Sequence, residues 1–258
     1  IHIATEGPVG SAARRYCLKN RLAFTTSYHT QFPEYIRKRL PVPLHISYAF
    51  MRKFHGAARR TMVATPGQQR LLEQWHFHNI YRWSRGVDTE LFRPDHKACL
   101  NVTRPLFVYA GRVAVEKNIE AFLDLSLPGT KCIIGDGPAL QLLRSRYPDV
   151  LFSGYRFGKD LARHIAAADV FVFPSLTDTF GLVMLEAMAC GVPVAAFPVT
   201  GPLDVVTPGV TGILDTDLRK AAIDALDLSG ECCREAAMQY TWQAATRQFS
   251  ANLVPVAG

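Results

Sequence analysis

Arg112 and Lys117 are two cationic side chains five residues apart, just after a short apolar run at residues 106–109 and a glycine, Gly111. An apolar run that reaches a glycine and then a helical pattern is typical of a strand, a turn and a helix start. Free backbone N–H groups and the positive end of a helix dipole favour an anion there, and two cations strengthen that preference. The spacing predicts an anion-binding site; two surface cations without a ligand are the alternative.

Residues 182–189 are apolar at every position except Glu186, which is typical of a helix buried on almost all sides. A buried carboxylate without a partner is very costly, so Glu186 requires a hydrogen-bond donor. A pair of sugar or ribose hydroxyls would supply it, and a buried arginine or a backbone group is the alternative. Asp178 lies in the loop before this helix and could reach the same cavity. Neither carboxylate need act as an acid or a base, because a carboxylate can simply hold hydroxyl groups.

Two further glycine-containing loops follow predicted strands, at residues 134–138 and 153–158. The first has only Gly135 and Gly137, without the third glycine of a dinucleotide-binding motif, and could equally be a tight turn. The second offers the backbone of Gly154 and the ring of Tyr155 to a nucleotide base, and packing of its aromatic residues in the core is an equal alternative. Ligands of open α/β sheets bind beyond the carboxyl ends of the strands, where these loops are predicted to lie.

The elements that position these loops alternate between short apolar runs and amphipathic stretches, which predicts βα units and parallel sheets. The alternation restarts near Pro94, so we expect two Rossmann-like domains, at residues 1–93 and 94–240. The second is long enough to be complete, whereas the first has about four strands and needs more for a doubly wound sheet. Because the chain starts with Ile1 inside an apolar run, we expect the first domain to be incomplete at its N-terminus. Predicted strands occupy residues 1–4, 24–27, 61–64, 80–83, 106–109, 132–134, 151–153, 170–173 and 194–197.

The composition excludes several classes of protein. Of the 258 residues, 48% are hydrophobic, which is enough for a packed core and argues against disorder or a collagen-like chain. No apolar run reaches the ~20 residues that span a bilayer. The six cysteines lack C-x-x-C spacing, so we expect reduced thiols in a cytosolic protein.

Positive charge is concentrated in the front part of the chain. Residues 1–103 carry 16 Lys and Arg against 6 Asp and Glu, a net charge of +10, whereas residues 104–258 carry 13 against 16, a net charge of −3. The clusters at residues 14–21, 37–39, 52–53 and 59–60 would attract anionic lipid or nucleic acid, and a solvated helix face is the alternative. We expect no nucleic-acid partner, because no zinc finger, basic zipper or RNA-recognition motif accompanies the charge.

Asp215-Thr216-Asp217 has a D-x-D form that also occurs in metal-binding sites of enzymes. It follows a glycine-containing turn and a strand, which favours a cap for a helix starting at Leu218. We therefore assign no metal site.

Taken together, these motifs resemble glycosyltransferase family 4, retaining nucleotide-sugar enzymes of the GT-B fold. The resemblance is carried by Gly111-Arg112 followed by Lys117-Asn118, by the segment at residues 174–194 that contains Asp178 and Glu186, and by two front-part segments at residues 28–35 and 85–92. It covers nearly the whole chain. The sequence is most similar to bacterial lipid-directed members, the sulfoquinovosyl-diacylglycerol-synthase-like and α-mannosyltransferase group.

The resemblance implies a role for each motif residue. Arg112 and Lys117 would hold the donor diphosphate, and Glu186 the ribose hydroxyls. Asp178 and the backbone of Phe180, Gly181 and Leu182 would hold the donor sugar, which His29 faces across the cleft. The glycines of the donor loops, Gly111, Gly135 and Gly154, and Tyr155 complete the predicted donor site. Residues 1–93 would be the acceptor side, residues 94–240 the donor side, and residues 241–258 a helix crossing back to the first domain.

We therefore expect a retaining hexosyltransferase that uses a UDP- or GDP-sugar, without a cofactor or metal, and a lipid or glycan acceptor at an anionic membrane surface. It would lie in the cytoplasm, at the inner face of the membrane. Sugar-nucleotide epimerisation or phosphorolysis on the same fold is one alternative. A truncated, non-catalytic nucleotide-sugar-binding module is the other.

Overall fold

The computed structural model describes residues 1–96, 100–178 and 180–255, with the backbone alone for Tyr35, Lys38, Arg39 and His96. The chain divides into two compact units. The first contains Ile1–Arg85 and Gln243–Gly258, and the second contains Gly86–Trp242. Two side chains of the predicted basic clusters, Lys38 and Arg39, thus lie outside the described part.

The first unit contains a four-stranded parallel sheet in the order β1-β2-β3-β4. Tyr28, Tyr48, Val63 and Leu72 form part of one apolar cluster in this unit, and Phe24 and Phe54 belong to a second. Its elements are β1 His2–Ile3, α1 Pro8–Lys19, β2 Thr25–Tyr28, α2 Phe32–Arg39, α3 Leu44–His55, β3 Arg60–Val63, α4 Pro66–Gln74 and β4 Ile80–Arg82.

The second unit contains a six-stranded parallel sheet in the order β10-β9-β8-β5-β6-β7. The strands run outward from β5 in one direction and from β8 in the other, so the order reverses between these two neighbours. Both strands are buried at every position, as expected for a parallel sheet covered on both faces. The strands are β5 Leu106–Ala110, β6 Thr130–Ile134, β7 Leu151–Gly154, β8 Val170–Phe173, β9 Val194–Ala196 and β10 Gly212–Leu214.

Helices connect these six strands and follow the last of them. They are α5 Glu120–Leu123, α6 Leu140–Arg146, α7 Gly158–Ala166, α8 Leu182–Ala189, α9 Pro202–Val205, α10 Leu218–Asp224 and α11 Gly230–Ala237, with 3-10 turns at Pro94–His96, Val115–Lys117 and Ala225–Asp227. Two Rossmann-like parallel sheets, as predicted, are confirmed.

The boundary between the units differs from the predicted one by eight residues. The sequence placed it after residue 93, but the contacts place it after Arg85. The reason is that the segment from Gly86 to Phe92 is bound to the second unit. Val87 forms a β-bridge with Thr241, and the Arg234 guanidinium donates hydrogen bonds to the carbonyls of Thr89 and Phe92.

The last helix, α12 (Trp242–Asn252), belongs to the first unit from Gln243 onward. Phe249 packs on Trp83, with 4.8 Å between the ring centroids, and on His2 at 5.0 Å. The Ser84 N–H donates to the Gln248 side chain, and the Arg60 guanidinium donates to the Ala251 carbonyl. Trp242, at the start of the helix, is 51% exposed, whereas Phe249 attaches the helix to the first unit through these two rings.

Candidate functional site

A cavity of about 930 Å³ lies in the second unit, at the carboxyl ends of β5, β6, β7 and β8. These strands flank the point where the strand order reverses, where open α/β sheets leave a crevice for ligands. Among the residues predicted from the sequence, those that line it are Gly111, Arg112, Lys117, Gly135, Tyr155, Asp178, Gly181, Leu182 and Glu186. Phe180 is buried and Gly154 ends β7, and neither lines the cavity.

Lys117 and Asp178 meet at this crevice. Lys117 follows β5 and Asp178 follows β8, and the ammonium nitrogen lies 2.6 Å from Oδ1 of the carboxylate. Both side chains are about one quarter exposed, at 26% and 24%. The second carboxylate oxygen, Oδ2, is buried and has no hydrogen-bond partner within the described ranges. The pair is therefore a charged, partly exposed contact, in which Oδ2 of Asp178 can still accept a hydrogen bond.

Arg112 is more exposed, and its local structure differs from the prediction. Its side chain is 64% exposed and lies 3.5 Å from Glu116. The segment Val115–Lys117 is a 3-10 turn that ends at Asn118 in the left-handed conformation, and α5 begins only at Glu120. The predicted helix start at Arg112 and Lys117 is therefore wrong. The two cations attract an anion at this position without the help of a helix dipole.

A helix N-terminus does face the cavity, but it belongs to α8. Gly181 precedes this helix in the left-handed conformation, with φ of 76°, and no side chain caps the first turn among the described residues. Gly181, Leu182 and Val183 line the cavity. The uncapped N–H groups and the positive end of the α8 dipole favour a negative or hydroxyl oxygen at this position.

Glu186 lies on α8, one turn further on, and lines the same cavity. Burial raises the pKa of its carboxyl group to about 7. No hydrogen-bond or ion-pair partner of the carboxylate is found in the described part of the chain, so the buried-arginine alternative receives no support there. Glu186 is a carboxylate that a ligand with hydroxyl donors would satisfy.

Close backbone contacts form another wall of the cavity. A Cβ atom on Gly135 would lie 1.9 Å from the Gly111 carbonyl oxygen, and one on Gly137 would lie 2.3 Å from that of Val113. The Gly111 N–H donates to the Ile134 carbonyl, and the Gly135 N–H donates to the Gly154 carbonyl. Gly135 is therefore in direct backbone contact with Gly111 and Gly154, and the Gly111 carbonyl leaves no room for a larger residue at Gly135.

Two aromatic rings stand at the β7 edge of the cavity. Tyr155 and Phe157 are 70% and 73% exposed, and they stack with 6.1 Å between centroids and 28° between planes. Both line the cavity, so the alternative of core packing is wrong for this pair. Exposed, roughly parallel rings of this kind offer a face to another aromatic ring.

His29, the predicted site residue of the first unit, directly follows β2. Its Nδ1 lies 2.7 Å from Nη2 of Arg85, whose guanidinium stacks on the Trp83 ring at 4.5 Å. Burial, and next the Arg85 charge, lower the pKa of the His29 imidazole to about 4. His29 is therefore a neutral imidazole at physiological pH.

The D-x-D segment caps a helix, as predicted. The Asp217 carboxylate accepts hydrogen bonds from the N–H groups of Arg219 and Lys220 at the start of α10. Asp215 forms an ion pair with Lys220. Within the described ranges, no group of three or more His, Cys, Asp or Glu side chains is placed to hold a metal ion. In the same part of the chain, no helix has the length and apolarity needed to cross a membrane.

Sequence reasoning missed three kinds of site residue. Phe157 could have been found from its alternation with Tyr155 in a loop that follows a strand. Arg156 and Leu161 line the cavity without any distinguishing pattern in the sequence. Arg85 and Trp83 reach His29 through contacts over more than fifty residues of chain, which local spacing does not reveal.

Two family profiles match the chain, one to each part. The profile described as Glycosyltransferase Family 4 matches residues 1–91, and the profile described as Glycosyl transferases group 1 matches residues 104–228. A GDP-mannose-dependent alpha-mannosyltransferase of Mycobacterium tuberculosis is 30% identical over 223 residues, 83% of this chain and 59% of that protein. A sulfoquinovosyl transferase of Arabidopsis thaliana is 31% identical, over 96% of this chain and 55% of that protein. The chain thus spans somewhat more than half the length of these relatives.

Solved structures share the fold at lower sequence identity. A sucrose-phosphate synthase from Thermosynechococcus elongatus matches with a TM-score of 0.79 and 24% identity, over 97% of this chain and 72% of that one. The Anabaena protein HepE in complex with UDP and glucose matches with a TM-score of 0.77 and 18% identity, over 97% of this chain and 77% of that one.

Proposed function

Because the chain belongs to the family 4 glycosyltransferases, we propose that it is a retaining glycosyltransferase that moves a hexose from a UDP- or GDP-sugar to a lipid or other membrane-surface acceptor. The observation that carries the donor part is the cavity of the second unit, in which Lys117, Asp178 and Glu186 lie together. A cation, a hydroxyl-binding carboxylate and an exposed aromatic pair in one crevice suit the diphosphate, ribose and base of a nucleotide.

Each group of the donor has a counterpart in the proposal. Lys117 and Arg112 hold the diphosphate, with the α8 N-terminus behind it. Glu186 accepts hydrogen bonds from the ribose hydroxyls, and the ring of Tyr155 contacts the nucleobase. Asp178 and the backbone from Phe180 to Leu182 hold the donor sugar. Gly135 keeps its loop close to the Gly111 carbonyl, and the Gly154 carbonyl accepts a hydrogen bond from the Gly135 N–H, so these loops form the cavity wall.

The chemistry follows from where charge develops. As the bond between sugar and phosphate breaks, the departing diphosphate gains negative charge and the sugar gains oxocarbenium character, so cations at the leaving group lower the barrier. Lys117 faces Asp178 in the structure, and a diphosphate oxygen would compete with that carboxylate for the ammonium group. Asp178 would then be available to the sugar hydroxyls. Two carboxylates flanking a sugar also occur in glycoside hydrolases, but the ion pair with Lys117 favours the transferase.

A ligand-dependent melting experiment tests the donor site. UDP, GDP, ADP and NADH are each added to the chain, and to Glu186→Ala and Arg112→Ala. A ligand at 100 times its Kd adds about 2.7 kcal/mol, a shift of several degrees in Tm. We expect a shift with UDP or GDP that both substitutions reduce and that Lys159→Ala, an exposed lysine on α7, leaves intact. A shift with NADH alone would contradict the proposal.

Turnover separates transfer from the alternatives. Incubation with the donor alone would reveal epimerisation, addition of phosphate would reveal phosphorolysis, and a lipid acceptor is needed for transfer. We expect a product with the anomeric configuration of the donor, read by NMR of the glycolipid. Nucleotide binding without any turnover, in this chain and in longer forms of it, would favour the binding module.

The membrane part of the proposal is supported by a basic groove between α1 and α3 in the first unit. Arg15 and Lys19 from α1 and Lys53 from α3 line it, and Leu18 and Phe50 beside them are 46% and 61% exposed. No carboxylate is among the described residues that line this groove. Exposed apolar side chains surrounded by cations suit an anionic bilayer, into which the rings insert while the cations meet phosphate. The proposal includes a location in the cytoplasm, at the inner face of the membrane, which this groove supports.

Vesicle sedimentation tests this surface. The chain is mixed with vesicles of phosphatidylcholine alone or with 30% phosphatidylglycerol, and we expect binding to the anionic vesicles that falls with added salt. Phe50→Ala with Lys53→Gln should weaken that binding roughly fivefold or more, since each cation near the surface contributes about 1 kcal/mol. Leu142→Ala with Arg144→Gln, an exposed pair on α6 of the acidic second unit, is the matched control. Equal loss in both variants, or binding indifferent to lipid charge, would remove the membrane claim.

A further inference from the structure

Arg85 and His29 form a contact whose hydrogen-bond direction is fixed by chemistry. Nη2 of Arg85 lies 2.7 Å from Nδ1 of His29. A guanidinium carries only donors and stays protonated at any physiological pH. The imidazole nitrogen that faces it must therefore accept, so Nδ1 carries a lone pair and not a proton. In a neutral imidazole the single proton then lies on Nε2.

The surroundings of Arg85 hold the guanidinium in place. Its plane stacks on the Trp83 ring at 4.5 Å, and Nη1 donates to the Trp83 carbonyl at 3.3 Å. Trp83 also meets the His29 ring edge-on, with 5.7 Å between centroids. One indole therefore touches both partners, and it limits the movement of either relative to the other.

We propose that Arg85 is a positioning residue that fixes His29 as the neutral tautomer with its proton on Nε2. In this state Nε2 is the hydrogen-bond donor of the His29 ring, and Nδ1 is its acceptor. His29 cannot act as a general base, because its only lone pair is held by the guanidinium. The statement about the tautomer stands on the contact itself; its effect on the rate of transfer rests on the proposed function.

The other charged groups near His29 do not reverse this preference. Burial lowers the pKa of the imidazole first, and the Arg85 charge lowers it next. Glu6 raises it, whereas His2 and His55 lower it, and the result is a pKa of about 4. Glu6 is itself hydrogen-bonded to Nε2 of His55, which occupies one of its carboxylate oxygens. His29 therefore stays neutral through the range in which an ordinary histidine titrates.

Nitrogen NMR of the histidine rings tests the proposal on the intact chain. Two-bond proton–nitrogen correlation distinguishes the two neutral tautomers and the imidazolium, and the His29 signal is identified by its loss in His29→Gln. We expect the Nε2–H tautomer of His29, without titration between pH 5.5 and 8. An Nδ1–H tautomer, or a midpoint near the ordinary pKa of ~6.5, would overturn the proposal whether or not the chain transfers sugar.

Matched arginine variants test whether Arg85 is the cause. In Arg85→Met, and more weakly in Arg85→Lys, we expect the His29 pKa to rise and the Nδ1–H form to appear. Arg60→Met is the control, because Arg60 also stacks on a ring, Tyr81 at 4.7 Å, and bonds to a backbone carbonyl. An unchanged tautomer and an unchanged His29 pKa in folded Arg85→Met would overturn the assignment to Arg85.

Kinetics then connect the tautomer to transfer. Arg85→Met should lower kcat roughly 10- to 100-fold, the range typical when a group that orients a metal-bound histidine is removed, while the KM for the donor changes little. It should also add an ionisation to the kcat profile that the parent chain lacks above pH 5. Loss of activity with an unchanged profile would indicate a merely structural role and contradict the proposal. If no form transfers sugar, the NMR result still decides the tautomer.

Discussion

Lys117 in the second unit and Arg85 in the first are both cations that lie within 2.7 Å of a single side-chain partner, but the partners differ in chemistry. Lys117 faces a carboxylate, and an anionic ligand could take that partner's place. Arg85 faces an imidazole, which it keeps neutral and holds in one tautomer. A ligand can therefore replace the partner of Lys117, whereas the partner of Arg85 stays in place.

The two units also differ in what forms the walls of their sites. The cavity of the second unit depends on backbone in close contact, at Gly135 against the Gly111 carbonyl. The surroundings of His29 depend on packed side chains, with Trp83 in contact with both Arg85 and Phe249. The cavity should therefore be sensitive to any added Cβ atom, and the His29 site to loss of a ring or a guanidinium.

The largest effect should follow from removing the cation whose partner a ligand can replace. Lys117→Met is expected to lower the transfer rate by about 100- to 1000-fold, because one preorganised charge at a developing anion contributes that much. The rate is measured with saturating donor and acceptor. Lys159→Met, on the exposed side of α7, should leave the rate unchanged. A loss below tenfold for Lys117→Met would contradict its place at the leaving group.

The glycine wall should respond next most strongly. Gly135→Ala is expected to lower the free energy of unfolding of the second unit by roughly 2 to 4 kcal/mol and to abolish nucleotide binding, because the new methyl group meets backbone. Gly154→Ala is the matched control. Its φ of 73° is also left-handed, but no atom lies within 4 Å of the added carbon, so only about 1 to 2 kcal/mol of strain is expected. If urea unfolding gives the same loss of free energy for Gly135→Ala and Gly154→Ala, backbone strain, and not contact between the loops, explains the glycine at position 135.

The carboxylate of Glu186 predicts a pH dependence. With its pKa raised to about 7 by burial, its ionised fraction rises from roughly 10% at pH 6 to 90% at pH 8, so affinity for UDP or GDP should rise up to about tenfold. Calorimetric titration of Glu186→Gln gives the pH dependence of affinity that remains without this carboxylate, which comes from ionisation of the nucleotide phosphate. If the affinity of the parent chain has the same pH profile as that of Glu186→Gln, Glu186 does not bind the ribose hydroxyls.

The same group affects stability, with a definite sign. The folded carboxyl has a pKa of about 7 and the ordinary value is 4.5, so the folded state holds a proton that the unfolded state releases between these values. The free energy of unfolding therefore decreases as pH rises from 4.5 to 7. Glu186→Gln should lack this decrease in otherwise identical denaturant titrations.

The smallest effect concerns a carboxylate with backbone partners only. Asp217→Ala should cost about 1 kcal/mol, because the α10 N-terminus loses its cap. Asp149→Ala, an exposed position after α6, is the control and should cost less than half of that. A change in turnover with added Mn²⁺ that disappears in Asp217→Ala would contradict the capping role.

The sequence predicted the strands and the residues at their carboxyl ends well, because both depend on local patterns. The buried run of β5 leading to Gly111, and the lone acid of α8, are readable within ten residues of chain. The parallel arrangement then follows from alternation, and it places Lys117 and Asp178 at one crevice.

Other features were beyond local patterns. The pairing of Lys117 with Asp178 joins positions 61 residues apart, and that of Arg85 with His29 joins positions 56 residues apart. The helix expected after Arg112 is a 3-10 turn, because Asn118 adopts the left-handed conformation and interrupts it. The observed unit boundary differs from the predicted one because Arg234 donates hydrogen bonds to backbone carbonyls of the segment after Arg85. Every residue has such a carbonyl, so the sequence does not reveal these contacts.

The attachment of α12 to the first unit has a consequence for the order of events during synthesis. Phe249 contacts Trp83 and His2, so residues from both ends of the described chain meet at one aromatic cluster. All of the second unit lies between them in sequence and leaves the ribosome before this helix does. Domains generally fold as they emerge, so the second unit can be complete while the first still awaits its last helix. The indole on which Arg85 rests thus acquires Phe249 as a neighbour only after the whole second unit has been translated.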